Sequence, residues 1–197
     1  HMILEKSDVD EFEAKYATTL DDRLKDGDVE AAYEIHERVL ARLEERVALV
    51  KVLTSGTFDF NANEKIILDR HELPWPASKA EANELWRLRI KHEYLLEHLA
   101  MLKTEENKAA AAKAALEKKD KPAAEPAKAA EKKPDASAKP AKELTAKETI
   151  DQRYDRILRS YKEYDGIDVF SNFVSALTRV YDPHTDYLAA AQKENFD

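Results

Sequence analysis

Asp182, His184 and Asp186 stand at alternating positions near the C-terminal end of the chain, in the stretch Val180 to Leu188, VYDPHTDYL. Two carboxylates and one imidazole within five residues are the types that ligate a divalent cation. A small metal-dependent hydrolase site is therefore one reading of these three residues. The competing reading is a turn fixed by Pro183, and it accounts for the same residues without a metal. Proline drives the preceding residue out of the helical region, which ends a helix at about Asp182.

No other arrangement in the chain is equipped for chemistry. His92 and His98 are six residues apart and lean toward opposite faces of a helix, so they cannot chelate one ion as an i, i+4 pair does. His92-Glu93 lacks the second histidine of the zinc-protease helix motif. Cysteine is absent, which removes thiol catalysis, thiolate metal sites and disulfides together. The three glycines are isolated at 27, 56 and 166, so there is no phosphate-cradling loop. No serine occupies a nucleophile-elbow setting. Ser160, Ser171 and Ser175 fall on helical patterns with no lysine base indicated. His36 lies near an apolar stripe and reads as a structural histidine. The expectation is that this chain carries no catalytic, cofactor-binding or metal-ligating residue.

The elements that would position such residues are helical. Charged residues make up 37% of the 197 positions and glycine is scarce, a composition rich in helix formers. Ser7-Asp8-Val9-Asp10 reads as a helix start with acidic residues in its first turn. Phe12, Tyr16, Leu20 and Leu24 continue as one stripe, which Gly27 ends and Asp28 follows as the next cap. A second helix spans about Val29 to Thr54, with Tyr33, Leu40, Leu43, Val47 and Val50 along its apolar face. Ser78-Lys79-Ala80-Glu81 is a capping box that opens a third helix bearing Leu85, Leu88, Leu95, Leu99 and Leu102. The helical faces of residues 29–54 and 79–103 are expected to form an antiparallel core pair. Between them, Thr57 to Pro76 is too apolar for a floppy loop and is expected to fold back on the helices, with Asn63 capping a short turn through Ile66, Ile67 and Leu68. An aromatic binding groove is the alternative reading of that connector.

Residues 104–147 change character: 15 are Ala, 11 are Lys and 4 are Pro. Asn107 to Lys119 is able to extend the third helix, but the prolines at 122, 126, 134 and 140 forbid a continuous one beyond it. This stretch reads as a low-complexity linker or surface insertion. Thr145-Ala146-Lys147-Glu148 is a second capping box, leading into Ile150, Tyr154, Leu158 and Tyr161. Gly166 is expected to end that helix and Asp168 to cap a last one, with Phe170, Phe173, Val174, Leu177 and Val180 on its apolar side. The fold class is thus all-α, with about five main helices and a long antiparallel pair. The boundaries are 1–2 as a tag remnant, 3–103 as the N-terminal helical region, 104–147 as the insertion, 148–188 as a C-terminal helical pair, and 189–197 as the start of a connection onward.

Charge narrows the partners. The net charge is −8. Residues 1–103 hold 15 Lys/Arg against 22 Asp/Glu, and the only positive block, 104–147, dilutes 11 lysines with 8 acids. A nucleic-acid platform needs basic patches, so none is expected.

The stretch VYDPHTDYL, with Asp168-Val169-Phe170-Ser171 before it, resembles the segment that precedes the catalytic core in the C-terminal processing, or tail-specific, proteases. FDFNANEKIILDRHELPWP followed by Asn83-Glu84-Leu85-Trp86-Arg87 is similar to the N-terminal helical region of the large periplasmic members. Thr19-Leu20-Asp21-Asp22 and Leu43-Glu44-Glu45-Arg46-Val47 also fit, whereas the Ala/Lys/Pro insertion departs from the family pattern. The resemblance implies an exported serine endopeptidase with a Ser/Lys dyad and a PDZ domain that captures nonpolar C-terminal tails. It places those parts after the DPHTDY-type stretch, so no catalytic residue is carried onto this chain. The expected role is that of a non-catalytic helical domain, periplasmic once an export signal has been trimmed. Its partners would be the PDZ and catalytic parts, protein substrates through them, and an adaptor or a second subunit. A free-standing helical interaction module with no protease attached is the alternative.

Overall fold

The computed structural model describes residues 2–119 and 144–187, and within them every repeating element is an α-helix. The six are α1 (Lys6–Tyr16), α2 (Leu20–Lys25), α3 (Glu30–Ser55), α4 (Lys79–Lys119), α5 (Ala146–Lys162) and α6 (Gly166–Tyr181). The all-α expectation holds.

Capping chemistry sets most of the starts. Thr145 Oγ1 accepts the Glu148 N–H at 3.2 Å while the Glu148 carboxylate accepts the Thr145 N–H at 2.8 Å. At α4 the Ser78 hydroxyl accepts from the Glu81 N–H at 3.3 Å, and the Glu81 carboxylate reaches one residue farther back, to the Ala77 N–H at 2.8 Å. These bonds satisfy N–H groups that a helix leaves orphaned in its first turn. Gly27 has φ +78°, the left-handed conformation that closes a helix and that a Cβ disfavours.

Two local expectations are corrected. The first helix is broken at residues 17–19 into α1 and α2, and α1 starts at Lys6 rather than at Ser7. Asp165, and not Asp168, is the N-cap of α6: its carboxylate accepts the N–H groups of Ile167 and Asp168 at 2.8 and 2.9 Å. Gly166 therefore opens α6 instead of ending α5.

The core is a three-helix cluster. Leu43, Val47 and Val50 of α3 meet Trp86 and Ile90 of α4 and Ile150 and Tyr154 of α5. Each large apolar side chain taken out of water there contributes about 1.5–3 kcal/mol. The direction of the pairing differs from the expectation. Glu45 meets Lys79, Arg46 meets Asn83, and Phe58, just past α3, meets Tyr94, so α3 and α4 run in the same sense. The connector makes this possible by carrying the chain back to the start level. The long antiparallel partner of α3 is α5: Thr54 bonds Asp151 at 2.7 Å, Lys51 pairs with Asp155 at 2.7 Å, and Glu44 pairs with Lys162 at 2.6 Å.

Polar groups finish the packing. Tyr154 donates to Glu93 at 2.9 Å, and Arg89 and Arg153 converge on the same carboxylate at 2.9 and 3.2 Å. Burial and the Glu93 charge push the Tyr154 phenol up to about 12. His36 stacks on Tyr161 at 6.5 Å between centroids and tilts against Tyr164, a structural role for that histidine. Helix α4, 41 residues long, continues through the Ala/Lys run to Lys119, roughly 60 Å from its start. The rest of the expected insertion, residues 120–143, lies outside the described residues.

Candidate functional site

Among the described residues, the turn after α6 and the groove under the connector are the places the sequence reading pointed to for contact or chemistry. The turn is built from α6 outward. Beyond Tyr181 the chain leaves the helix at Asp182, which has extended φ −145° and ψ 113°. The Asp182 carboxylate accepts the His184 N–H at 3.0 Å and the Thr185 hydroxyl at 2.9 Å. Those two donors hold the carboxyl below the usual carboxylate range. Asp186 is also held low, by the Ser175 hydroxyl and then by Arg179, whose guanidinium lies at 2.8 Å. Tyr187 returns to α6: its N–H donates to Ser175 Oγ at 3.1 Å, and its ring meets Phe170 edge-on at 5.6 Å. The segment thus folds back along the helix it has just left.

This geometry commits both carboxylates to donors from the chain itself. Among the described residues, no three His, Asp or Glu side chains are grouped to hold a metal, and Asp182, His184 and Asp186 are not brought together as such a group. Ser175 is occupied with the Tyr187 backbone. Val180 and Tyr181, at the end of α6, are 79% and 85% exposed, leaving an apolar surface beside the turn.

The second place is a groove of about 470 Å³ between residues 65–70 of the connector and the exposed side of α4. The connector folds back on the helices as expected. Phe58 tilts against Tyr94 at 5.3 Å and Phe60 stacks on it at 6.4 Å, Glu64 pairs with Arg87 and with Lys91 at 2.5 Å, and buried Pro76 accepts the Lys6 N–H at 2.8 Å. The expected turn capped by Asn63 does not form. Residues 63–67 are irregular, and Asp59 caps the preceding turn by accepting from the Asn61 N–H at 2.9 Å. Ile67 and Leu68 consequently remain 60% and 68% exposed at the groove. His92 lines this groove and His98 is exposed on α4, so these histidines are not joined in one site.

A further arrangement went unread in the sequence: an ionic seam between the N-terminal segment and α3. Asp8, 1% exposed, accepts from Arg38 at 2.7 Å, from Arg42 at 2.9 Å and from the Glu5 N–H at 2.9 Å. Buried Arg46 bridges Glu5 at 3.0 Å and Asn83 of α4 at 2.6 Å. Burial raises the Asp8 carboxyl, but the hydrogen bonds from Arg42, the Glu5 backbone and Arg38 outweigh it and leave it at about 2. The spacing of Arg38, Arg42 and Arg46 at i, i+4, i+8 was the available signal, since it puts three guanidiniums on one helical face.

The seam and the core join the N-terminal segment, α3, α4 and α5 in one helical body. The family described as "Tail specific protease N-terminal domain" matches residues 1–191, which takes in all six helices and the turn after α6. A tail-specific protease of Haemophilus influenzae is 27% identical over 197 residues, covering the whole of this chain and 23% of that protein. The chain therefore spans less than a quarter of the length of that relative. With the match running through 191 of 197 residues, the chain belongs to the family of tail-specific protease N-terminal domains.

Proposed function

We propose that this domain is the non-catalytic helical part of a tail-specific serine protease that degrades or trims exported proteins recognised by their C-terminal tails. In this reading the catalysis belongs to a Ser/Lys dyad elsewhere in the enzyme, where a neutral lysine serves as general base for the serine hydroxyl. A PDZ domain there captures the substrate tail by strand addition. The helical domain packs on that body, shapes access to the substrate chamber, and offers surface to an adaptor or a second subunit. The setting is the periplasm. The observation that carries the reading is the family match extending through the turn after α6. Exposed Val180 and Tyr181 beside that turn are the natural place for the rest of the enzyme to pack.

The test compares the full-length protease with this chain on an unfolded protein ending in apolar residues. The full-length enzyme is expected to cleave and this chain is not. Val180→Asp with Tyr181→Asp should leave the melting temperature of this chain within about 2 °C, because both side chains are exposed, and should lower turnover in the full-length enzyme. Robust cleavage by this chain alone would refute the non-catalytic assignment. Unchanged turnover of the double variant would refute the packing role of the α6 end.

A further inference from the structure

The groove between residues 65–70 and α4 combines an apolar wall with a charge that opposes the rest of the chain. Its wall includes Ile67, Leu68, Leu88 and Leu96. Its lining holds four cationic side chains, Lys65, Arg70, Arg89 and Arg153, against one carboxylate, Glu93, in a chain whose net charge is −8. Glu93 is already taken by Arg89, Arg153 and the Tyr154 hydroxyl. Nearby Glu97 is taken by Arg153, and Glu64 by Arg87 and Lys91.

Lys65 and Arg70 are different. Neither has a carboxylate partner among the described residues. The Arg70 guanidinium has a single long bond of 3.4 Å, to the Pro74 carbonyl, and its Nε is shielded from solvent with no hydrogen-bond partner. Its terminal nitrogens are spent on that one long bond alone, and an unpaired guanidinium beside an apolar groove is best satisfied by a carboxylate. Beside it, large apolar side chains stand in water. An occupant that covers Ile67 and Leu68 and places a carboxylate at Arg70 would relieve both.

We propose that this groove docks an apolar, acidic peptide segment of a partner protein, with side-chain carboxylates meeting Arg70 and Lys65 and leucine-like side chains lying against Ile67, Leu68 and Leu96. This deepens the contact role proposed above. Docking is read by binding alone, so it can fail while the non-catalytic assignment stands, and the reverse.

The probe is a fluorescein-labelled, C-terminally amidated peptide of alternating Leu and Glu, titrated with this chain by fluorescence anisotropy. Saturable binding is expected, weakened by added salt. A Leu/Lys peptide and a Ser/Glu peptide should bind at least tenfold more weakly, since each lacks one half of the match. Arg70→Glu should weaken the Leu/Glu peptide at least tenfold while Arg70→Lys retains most of the affinity. Leu68→Asp should abolish binding. Both positions lie in an irregular segment at the surface, and an unchanged circular dichroism melt establishes that each variant folds; Arg70→Ala replaces any that does not. Equal binding of the Leu/Lys peptide, or indifference to Arg70→Glu, would overturn the proposal. So would binding that requires a free C-terminal carboxylate, concentration-dependent self-association lost in Arg70→Glu, or a full-length protease in which the groove no longer binds.

Discussion

Replacing Asp8 with Asn tests whether the ionic seam holds the N-terminal helix on α3. The substitution keeps shape and volume and removes only the charge. Asp8 is 1% exposed and receives hydrogen bonds from Arg38, Arg42 and the Glu5 N–H, which leave its carboxyl at about 2 against an ordinary value of 3.8. A carboxyl held that far below its unfolded-state value contributes about 2.5 kcal/mol at neutral pH. Arg42 keeps Glu5 at 3.3 Å and Glu45 at 3.4 Å, and Arg38 keeps Glu11 at 2.9 Å, so the guanidiniums are not left bare. The expected cost of Asp8→Asn at pH 7 is therefore about 2.5 kcal/mol, near the lower end for a broken buried pair.

The pH dependence is the sharper readout. A carboxyl whose folded value is depressed gives stability that is fully present above its unfolded value and is lost as pH falls through the folded one. The gap between wild type and Asp8→Asn should be constant from about pH 7 to 5, fall to about half at pH 3, and drop below about 0.5 kcal/mol at pH 2. The assay is urea unfolding followed by circular dichroism at matched ionic strength across that range. Other carboxylates titrate in both proteins and cancel in the difference. A gap under about 1 kcal/mol at pH 7, or one that does not shrink on acidification, would refute the assignment of Asp8 as the charged centre of the seam.

Ile150→Ala, at a fully buried position in the three-helix cluster, should cost about 2–5 kcal/mol in urea unfolding through the cavity it leaves. Gly27→Ala should cost about 1–2 kcal/mol because of the positive φ there, whereas Gly166→Ala should stay within about 0.5 kcal/mol, its new methyl meeting the Tyr33 hydroxyl and ring edge at ordinary contact distance. Tyr187→Ala should speed amide hydrogen exchange at residues 185–187 and leave the urea midpoint of the domain unchanged, since it removes only the edge-on ring contact with Phe170 and keeps the backbone bond to Ser175.

Much of the helical architecture was legible because caps and periodicity agree. Thr145 with Glu148 marks a helix start that forms with both expected side-chain bonds, and Ser78 with Glu81 one that forms with the Ser78 bond while the Glu81 carboxylate takes the Ala77 N–H instead. Leu43, Val47 and Val50 read as one face and are buried as one. The relative direction of α3 and α4 was not legible. Apolar stripes are the same whichever way two helices run, and only the path of residues 56–78 decides between parallel and antiparallel. That path rests on tertiary contacts, Phe58 and Phe60 on Tyr94 and Pro76 on Lys6, which leave no periodic trace. The cap of α6 was misplaced for a local reason: Asp165 and Asp168 both fit a cap, and the capping box uses both, one as N-cap and the other as its reciprocal partner.

The seam was illegible for a deeper reason. Asp8 in the first turn reads as a solvated acid favouring the helix dipole, and the shared face of Arg38, Arg42 and Arg46 names no partner, because charged residues are solvated unless paired. Their burial depends on a partner some thirty to forty positions away, which neither pattern announces. Yet the same charges specify what the apolar stripes leave open. Glu5 meets Arg46, Asp8 meets Arg42 and Arg38, and Tyr16 meets Glu34 at 2.5 Å, so the contacts descend α3 as α1 ascends. A slip of one turn would separate Glu5 from buried Arg46 and Asp8 from Arg38 and Arg42, and breaking buried pairs costs several kcal/mol. An apolar contact would tolerate that slip far better. The seam thus sets the register of α1 on α3, which is why removing the Asp8 charge tests the placement of the whole N-terminal segment.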